Sequence, residues 1–349
     1  MAAKRLLFDP RLPFAVLAGL AVVLVLTVVA ARLLGIEGTL RYTDLWRAEQ
    51  PLPGTAASAT AREPGAAPPP VGPPPVRGEP VAGAPPVEPP ETLLEPGPYG
   101  ALPRRAEDGR SPFSVYRSNF AFDPERPRIA LVVVGLGLAR EPTLTATELP
   151  PLFGLAFSPY GRELAGWMRY GRWRGHEVLL ELPVRPARYP LDDAGPLALA
   201  PDLPPERLAQ RLETTLAAGK GYFAVTVAAG AYVAAPETFA PVLARLAEAG
   251  LGLIELGGDH LATAAARQGV PYLWSDPPID LDPAPEAIDL ALGRLETRAL
   301  REGAALGTLE GAAVAYARLR QWLPSLEAKG LQLVAPSRVF DGLARGPAE

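Results

Sequence analysis

Arg128-Ile-Ala-Leu-Val-Val-Val-Gly135 contains six consecutive apolar residues, four of them β-branched, and ends in glycine. A continuous apolar run of this kind is typical of a strand that is buried on both faces, as in a parallel sheet. Similar short runs recur along the chain, at residues 153–158, 177–182, 222–227, 251–256, 304–309 and 331–334. The sequence therefore predicts a series of buried strands from residue 128 onward.

Helical patterns lie between these runs. Residues 205–218 carry leucines at helical spacing, and residues 236–249 and 285–302 also have apolar residues at intervals of three and four. Proline stands near the first turn of all three segments, which is a regular start signal for a helix. Strands and helices alternate about seven times, which predicts an α/β fold with a parallel sheet, as a (β/α) barrel or an open doubly wound sheet. In both architectures the functional loops follow the carboxyl ends of the strands.

The N-terminal segment has the pattern of a membrane anchor. Residues 12–31 are free of charge and almost wholly apolar, and at about 1.5 Å per residue they match a hydrocarbon core of about 30 Å. Lys4, Arg5 and Arg11 precede the run, so the positive-inside rule puts the N-terminus in the cytoplasm. Residues 1–36 are predicted as a cytoplasmic tip and a transmembrane helix. The alternative is a signal peptide cleaved near residue 30, and both interpretations export the rest of the chain.

A proline-rich stretch follows the anchor. Residues 37–110 include proline runs at 68–70 and 73–75, which favour polyproline II rather than a packed core. We predict that this stretch is a disordered linker and that a single domain spans residues 111–349. The linker would act as a tether, and a docking strip for a proline-binding partner is the alternative.

Composition excludes several classes of function. The net charge of −4 and the pI near 5.5 give no basic footprint for nucleic acid. The absence of cysteine excludes disulfides, thiolate metal sites and a cysteine nucleophile. Only two histidines are present, His176 and His260, and this scarcity restricts metal chemistry.

Four segments carry a family resemblance. They are Arg128-Ile-Ala-Leu-Val-Val-Val-Gly-Leu-Gly137, Leu155-Ala-Phe-Ser-Pro-Tyr160, Gly175-His-Glu-Val-Leu-Leu-Glu-Leu-Pro183 and Trp274-Ser-Asp-Pro-Pro-Ile-Asp280. In this order and spacing they resemble the divergent polysaccharide deacetylases, exported bacterial proteins related to metal-dependent carbohydrate esterases. The resemblance covers roughly residues 112–340. It implies a distorted (β/α) barrel that acts in cell-envelope carbohydrate metabolism, on the periplasmic side of the inner membrane.

The resemblance also implies where a metal would be bound. Active deacetylases of this fold place an Asp-Asp pair after the first strand, one as the base and one as a metal ligand, and two histidines complete the site. In this chain the Asp-Asp positions are occupied by Val134 and Gly135, and the histidine positions by Glu181 and Ala228. Residues 303–311 contain no histidine. We therefore expect no metal, no other cofactor and no metal-dependent catalysis.

The two histidines do not restore this site. His176 precedes a predicted strand, at the end opposite the expected site, so we expect a structural role. His260 follows Asp259 in a loop on the correct side, but one His and one Asp make a poor zinc site because three protein ligands are usual.

Three carboxylates are weak catalytic candidates. Glu181, Glu255 and Asp280 each fall at or just after a predicted strand end, where they could converge on one mouth of a barrel together with Glu310. Such carboxylates can do acid/base work or hold a hard cation, and a suitable pair can hydrolyse a glycoside. The alternative is that each carboxylate caps a loop or pairs with an arginine.

Tyr160, Trp274 and Asp276 are the candidate binding residues, since sugar rings stack on aromatic faces and Asp276 matches a family position. Three functions remain open. The first is binding of a cell-envelope glycan or an envelope protein, without catalysis, in the cleft where the family's metal site would lie. The second is an active carbohydrate hydrolase with a rebuilt carboxylate site, and the third is a structural envelope scaffold.

Overall fold

The structure is a computed structural model that describes residues 72–230, 232–233 and 235–343. Within these residues the strands are β1 (Leu94–Gly97), β2 (Gly100–Pro103), β3 (Arg128–Leu136), β4 (Gly154–Phe157), β5 (Val178–Leu182), β6 (Ala224–Ala228), β7 (Gly252–Leu256), β8 (Tyr272–Ser275), β9 (Ala304–Leu309) and β10 (Gln332–Leu333). The α-helices are α1 (Pro112–Val115), α2 (Arg140–Thr147), α3 (Leu164–Trp173), α4 (Pro205–Leu216), α5 (Pro236–Ala249), α6 (Ala262–Gln268), α7 (Pro285–Glu302), α8 (Ala313–Trp322) and α9 (Ser337–Leu343). Short 3-10 turns occupy Glu91–Leu93, Leu323–Ser325 and Glu327–Lys329.

Strands β3 to β9 form a nearly closed parallel barrel. Strands β3 to β8 pair in sequence order, and β9 returns to pair with β3 along its whole length. Among the described residues β8 and β9 share no ladder, although the Ser275 Oγ lies 3.5 Å from the Thr308 Oγ1 across this seam. The α/β class is confirmed, and of the two predicted architectures the structure has the barrel, consistent with a distorted (β/α) barrel.

Alternate residues of each barrel strand face opposite sides. On β3 the side chains of Ala130, Val132 and Val134 join an inner cluster, whereas those of Ile129, Leu131 and Val133 belong to the outer cluster with the helices. This alternation follows from the period of two residues in a strand. It explains why the runs are apolar throughout, because both faces are buried. It also decides which side chains at the strand ends enter the barrel mouth.

The amino end of the barrel is closed by packing. The rings of Phe113, Phe223 and Phe340 lie within 6.1 Å of one another between centroids, in tilted and edge-to-face arrangements. Glu177, just before β5, is fully buried and accepts hydrogen bonds from the backbone N–H and the hydroxyl of both Ser118 and Ser337. Burial raises the pKa of Glu177 above its ordinary value. With this end sealed, the open end lies at the carboxyl ends of the strands.

The ordered domain begins before residue 111, where the sequence analysis put its boundary. Strands β1 and β2 form an antiparallel hairpin, and Leu93 and Leu102 are buried in the cores. The buried guanidinium of Arg172 donates to the carbonyl oxygens of Pro86 and Val87, which holds the preceding segment against α3. The packing of this segment could not be predicted from its proline-rich composition, because its few apolar residues show no helical or strand periodicity.

The predicted transmembrane helix at residues 12–31 lies outside the described residues, as do residues 37–71 of the predicted linker. No helix in the part of the chain that the structure describes is both long enough and apolar enough to cross a bilayer.

Candidate functional site

A cavity of about 840 Å³ opens at the carboxyl ends of the barrel strands, and we call it the mouth cavity. Functional sites of (β/α) barrels lie at this end. Its lining comes from strand ends and from the loops that follow them: Val134, Gly135, residues 158–160, 181–184, Pro186, 192–194, Thr226, Ala228, Ala229, Leu256, Gly257, Pro277, Pro278, Leu281 and Glu310. A second cavity, of about 880 Å³, lies near the amino end beside Phe113 and Phe340, and its carboxylate, Asp341, pairs with Arg117.

Glu181 of β5 extends into the mouth cavity, as the sequence predicted for a residue at a strand end. Its Oε1 accepts a hydrogen bond from the backbone N–H of Gly135, which lies at the end of β3 with a φ of 76°. Burial raises the pKa of the Glu181 carboxyl; the hydrogen bond from the Gly135 N–H opposes this rise, the negative charge of Glu310 adds to it, and the net pKa is about 7. Glu181 therefore changes its protonation state near neutral pH.

Glu310 and Thr226 stand close to Glu181 in the mouth. Glu310 follows β9 and is exposed, and no ion-pair partner for its carboxylate occurs among the described residues. Thr226 of β6 lies opposite Glu181 in the strand register, and its buried hydroxyl has no hydrogen-bond partner within the described residues. Sequence reasoning named Glu310 only in passing and missed Thr226, although the register of two neighbouring strands would have placed it beside Glu181.

Asp280 is buried behind the mouth cavity and does not line it. Its carboxylate accepts the backbone N–H groups of Glu310, Gly311 and Ala312, at 2.7, 2.9 and 2.9 Å. The side chain therefore holds the loop between β9 and α8 in place. Through this loop it positions Glu310, which is the loop-capping role that the sequence analysis kept as an alternative.

Glu255 is directed away from the mouth. Its carboxylate accepts hydrogen bonds from the His260 Nδ1 at 2.6 Å, from the Tyr272 hydroxyl at 2.7 Å and from the backbone N–H groups of His260 and Leu261. On β7 the neighbouring Ile254 faces the inner cluster, so Glu255 faces outward. The structure thus does not bring Glu255 together with Glu181, and His260 is hydrogen-bonded to Glu255 on the outer side of the barrel.

Trp274 and Asp276 lie together on the outer side of the barrel. The guanidinium of Arg298, from α7, stacks over the Trp274 ring at 4.1 Å and donates to Asp276 at 2.6 Å. Neither side chain lines the mouth cavity. Tyr160 does line it, and its hydroxyl donates to the carbonyl of Ala194 and accepts the N–H of Leu197. These bonds fix the loop after β5 as one wall of the cavity.

Comparison with known proteins identifies the family. Residues 131–340, more than half of the chain, match the family model described as divergent polysaccharide deacetylase. The chain belongs to the divergent polysaccharide deacetylase family. Its structure is similar to the crystal structure of an uncharacterized protein from Agrobacterium tumefaciens, at 28% identity and a TM-score of 0.64, over 68% of this chain and 99% of that chain. No curated protein matches the chain.

The mouth of this divergent polysaccharide deacetylase does not fit a zinc ion. The four positions that align with the family's base and metal ligands all line the cavity, but Val134, Gly135 and Ala228 offer no donor side chain, which leaves Glu181 alone. Zinc is usually held by at least three protein ligands. No cluster of three or more His, Asp or Glu side chains suited to a metal occurs in the described ranges. His176 cannot contribute, since its ring nitrogens contact backbone carbonyls near the amino end of β5.

Proposed function

We propose that this protein is an exported, membrane-tethered member of the divergent polysaccharide deacetylase family that binds a cell-envelope glycan in the mouth cavity, without metal-dependent hydrolysis. The observation that supports this proposal is a cavity of about 840 Å³ whose aligned ligand positions carry Val134, Gly135 and Ala228. That volume lies within the range of small-molecule binding sites, about 300–1,000 Å³.

The chemistry of the lining also favours a glycan. Prolines contribute much of the wall, namely Pro159, Pro183, Pro186, Pro277 and Pro278, and Tyr160 adds an aromatic ring. Rigid apolar surfaces of this kind match the C–H faces of sugar rings. Glu181, Glu310 and Thr226 supply polar atoms at the centre, where sugar hydroxyls and amines would form hydrogen bonds.

The N-terminal sequence supports the proposed location. The uncharged apolar run at residues 12–31, with basic residues before it, favours a retained anchor whose chain continues on the periplasmic side of the inner membrane. We propose that the membrane and a glycan are the partners of the protein and that nucleic acid is not, given the net charge of −4.

The test uses the full-length chain purified in detergent. Soluble peptidoglycan fragments and acetylated chitooligosaccharides are titrated by calorimetry, and acetate release and zinc content are measured on the same samples after exposure to zinc and desalting. We expect binding, no acetate release and less than one zinc ion per chain. Acetate release by a sample with one tightly held zinc ion would overturn the proposal.

A matched pair of variants places the binding site. Ala228→Trp fills the mouth cavity and should abolish glycan binding. Ala266→Trp puts the same side chain on an exposed position of α6, outside the mouth, and should leave binding unchanged. Equal binding by both variants would mean that the glycan binds elsewhere.

One observation supports a second candidate, an active glycoside hydrolase. The pKa of Glu181 is raised to about 7 beside the carboxyl of Glu310, and glycoside hydrolysis uses a pair of carboxyl groups, one of which is a general acid with a raised pKa. Under this candidate the wild-type protein releases reducing ends from a glycan, and Glu181→Gln abolishes the release while folding is retained. The absence of any released sugar from a glycan that binds would remove it.

A further inference from the structure

The charged side chains that line the mouth cavity are all acidic. They are Glu181, Asp192, Asp193 and Glu310, and neither lysine nor arginine lines the cavity in the part of the chain that the structure describes. A cavity with charges of one sign attracts ligands of the opposite sign and repels ligands of the same sign. The lining thus disfavours glycans that carry carboxylate or phosphate groups.

The negative charge is not compensated equally around the cavity. At the rim, Asp192 pairs with Arg188 at 3.6 Å, and Asp193 accepts the N–H of Gly195 at 2.9 Å. At the ends of β5 and β9, Glu181 accepts one backbone N–H, and the carboxylate of the exposed Glu310 has no ion-pair partner among the residues described. The uncompensated charge is therefore concentrated between the ends of β5 and β9.

The Thr226 hydroxyl is an independent sign that a ligand binds at this place. The residue is 1% exposed and lines the cavity, and its Oγ1 has no hydrogen-bond partner within the described part of the chain. A buried hydroxyl without a partner costs about 1–3 kcal/mol, so such groups are normally satisfied by water or a ligand. Thr226 lies opposite Glu181 in the register between β5 and β6, so the unsatisfied acceptor and the carboxylate belong to one site.

We propose that the mouth cavity selects glycans that carry a free protonated amine, that is, amino sugars without an N-acetyl group, and that this ammonium binds between Glu181 and Glu310 with the Thr226 hydroxyl as a further acceptor. An ammonium group has three donors and no acceptor, which suits two carboxylates and a hydroxyl. An N-acetylated sugar offers one amide N–H and no charge, so it leaves the acidic pair uncompensated. This inference rests on the proposed glycan binding and names the ligand class for the same cavity.

The probes are a tetramer of glucosamine and the N-acetylated tetramer of the same sugar, titrated into the full-length chain in detergent at pH 7 and low salt. The glucosamine tetramer should bind at least about tenfold more tightly, because its contacts with the carboxylates are charge-assisted. The preference should shrink as salt is added, since salt screens the exposed part of the interaction.

Variants separate the amine contact from general glycan binding. Glu310→Gln and Thr226→Val should each reduce the preference for the glucosamine tetramer and change binding of the acetylated tetramer less. Glu107→Gln removes an exposed carboxylate that does not line the cavity, and the preference should stay at the wild-type value. Circular dichroism and thermal melting show whether each variant is folded.

The outcomes distinguish this inference from the proposed function. If both tetramers bind equally, or if the acetylated one binds more tightly, selection of the amine is overturned while glycan binding stands. If neither tetramer nor any envelope fragment binds, the proposed function itself fails and the amine inference fails with it. A preference that Glu310→Gln and Thr226→Val leave unchanged would place the amine elsewhere and also overturn the inference.

Discussion

Glu181→Gln should make the protein more stable at alkaline pH and have little effect at acid pH. Burial raises the pKa of the Glu181 carboxyl from its ordinary 4.5 to about 7, so the folded protein holds this proton more tightly than the unfolded chain does. The contribution to stability is therefore complete below pH 4.5 and is lost as the pH rises through 7. At about 1.4 kcal/mol per pKa unit, the free energy of unfolding falls by roughly 3 kcal/mol across this window. Glutamine carries no charge and keeps an acceptor for the Gly135 N–H.

The assay is urea denaturation of the wild-type protein and the variant at intervals from pH 4 to pH 9. The difference between the two free energies of unfolding isolates Glu181, because His176 and Glu177 are common to both proteins. Glu310→Gln removes the negative charge that helps to raise the Glu181 pKa, so it should shift the loss to lower pH and make it smaller. A difference between wild type and Glu181→Gln that stays constant from pH 4 to pH 9 would refute the argument from burial.

Three further predictions, two of them with a control substitution, test the placement of other side chains. Arg172→Met should lower the free energy of unfolding, measured by urea denaturation, by at least about 3 kcal/mol, because it leaves buried carbonyls without a donor. The control Arg169→Met removes only an exposed ion pair and should lower it by less than about 1 kcal/mol. Glu255→Gln should lower the melting temperature but leave the dissociation constant for a glycan unchanged, because the carboxylate serves the outer side of the barrel. Tyr160→Phe should weaken glycan binding by loosening one wall of the mouth cavity, and Trp274→Ala should not, with calorimetry as the readout of both.

The strand-helix alternation could be predicted because continuous apolar runs are a strong signal. The predicted run at residues 304–309 coincides with β9, and the predicted helices at 236–249 and 285–302 coincide with α5 and α7. Strand β8 was missed because Tyr272–Ser275 is short and mixes aromatic with polar residues. The strand-helix alternation alone could not decide between a barrel and an open sheet, since the pairing of β9 with β3 is a contact between residues about 175 positions apart, and only the family resemblance indicated the barrel.

The sequence indicated where Glu181 and Glu255 lie along their strands but not the direction of their side chains. The placement of Glu181 and Glu255 near strand ends, and the choice of Trp274 as a binding residue, took no account of the strand face on which each lies. A shift of one residue moves a side chain to the opposite face, and this separates the inward Glu181 from the outward Glu255 and Trp274. Thr226 carried no signal alone, because a threonine in a strand is ordinary until the register puts it beside a carboxylate.

Two features that cost folding free energy lie side by side in the mouth of this barrel, and they bear on whether the mouth still binds a ligand. Burial disfavours the charged form of the Glu181 carboxyl, and Thr226, beside it, has a buried hydroxyl with no hydrogen-bond partner in the described part of the chain. A glutamine and a valine would avoid both costs without changing the shape of the interior. The amino end shows the opposite arrangement, since buried Glu177 receives four hydrogen bonds from Ser118 and Ser337. Buried hydroxyls without a partner among the described residues also occur on Tyr116 and Thr215, but of these three only Thr226 lines the mouth cavity, where a ligand can reach it. A ligand that bridges Glu181 and Thr226 would remove both costs.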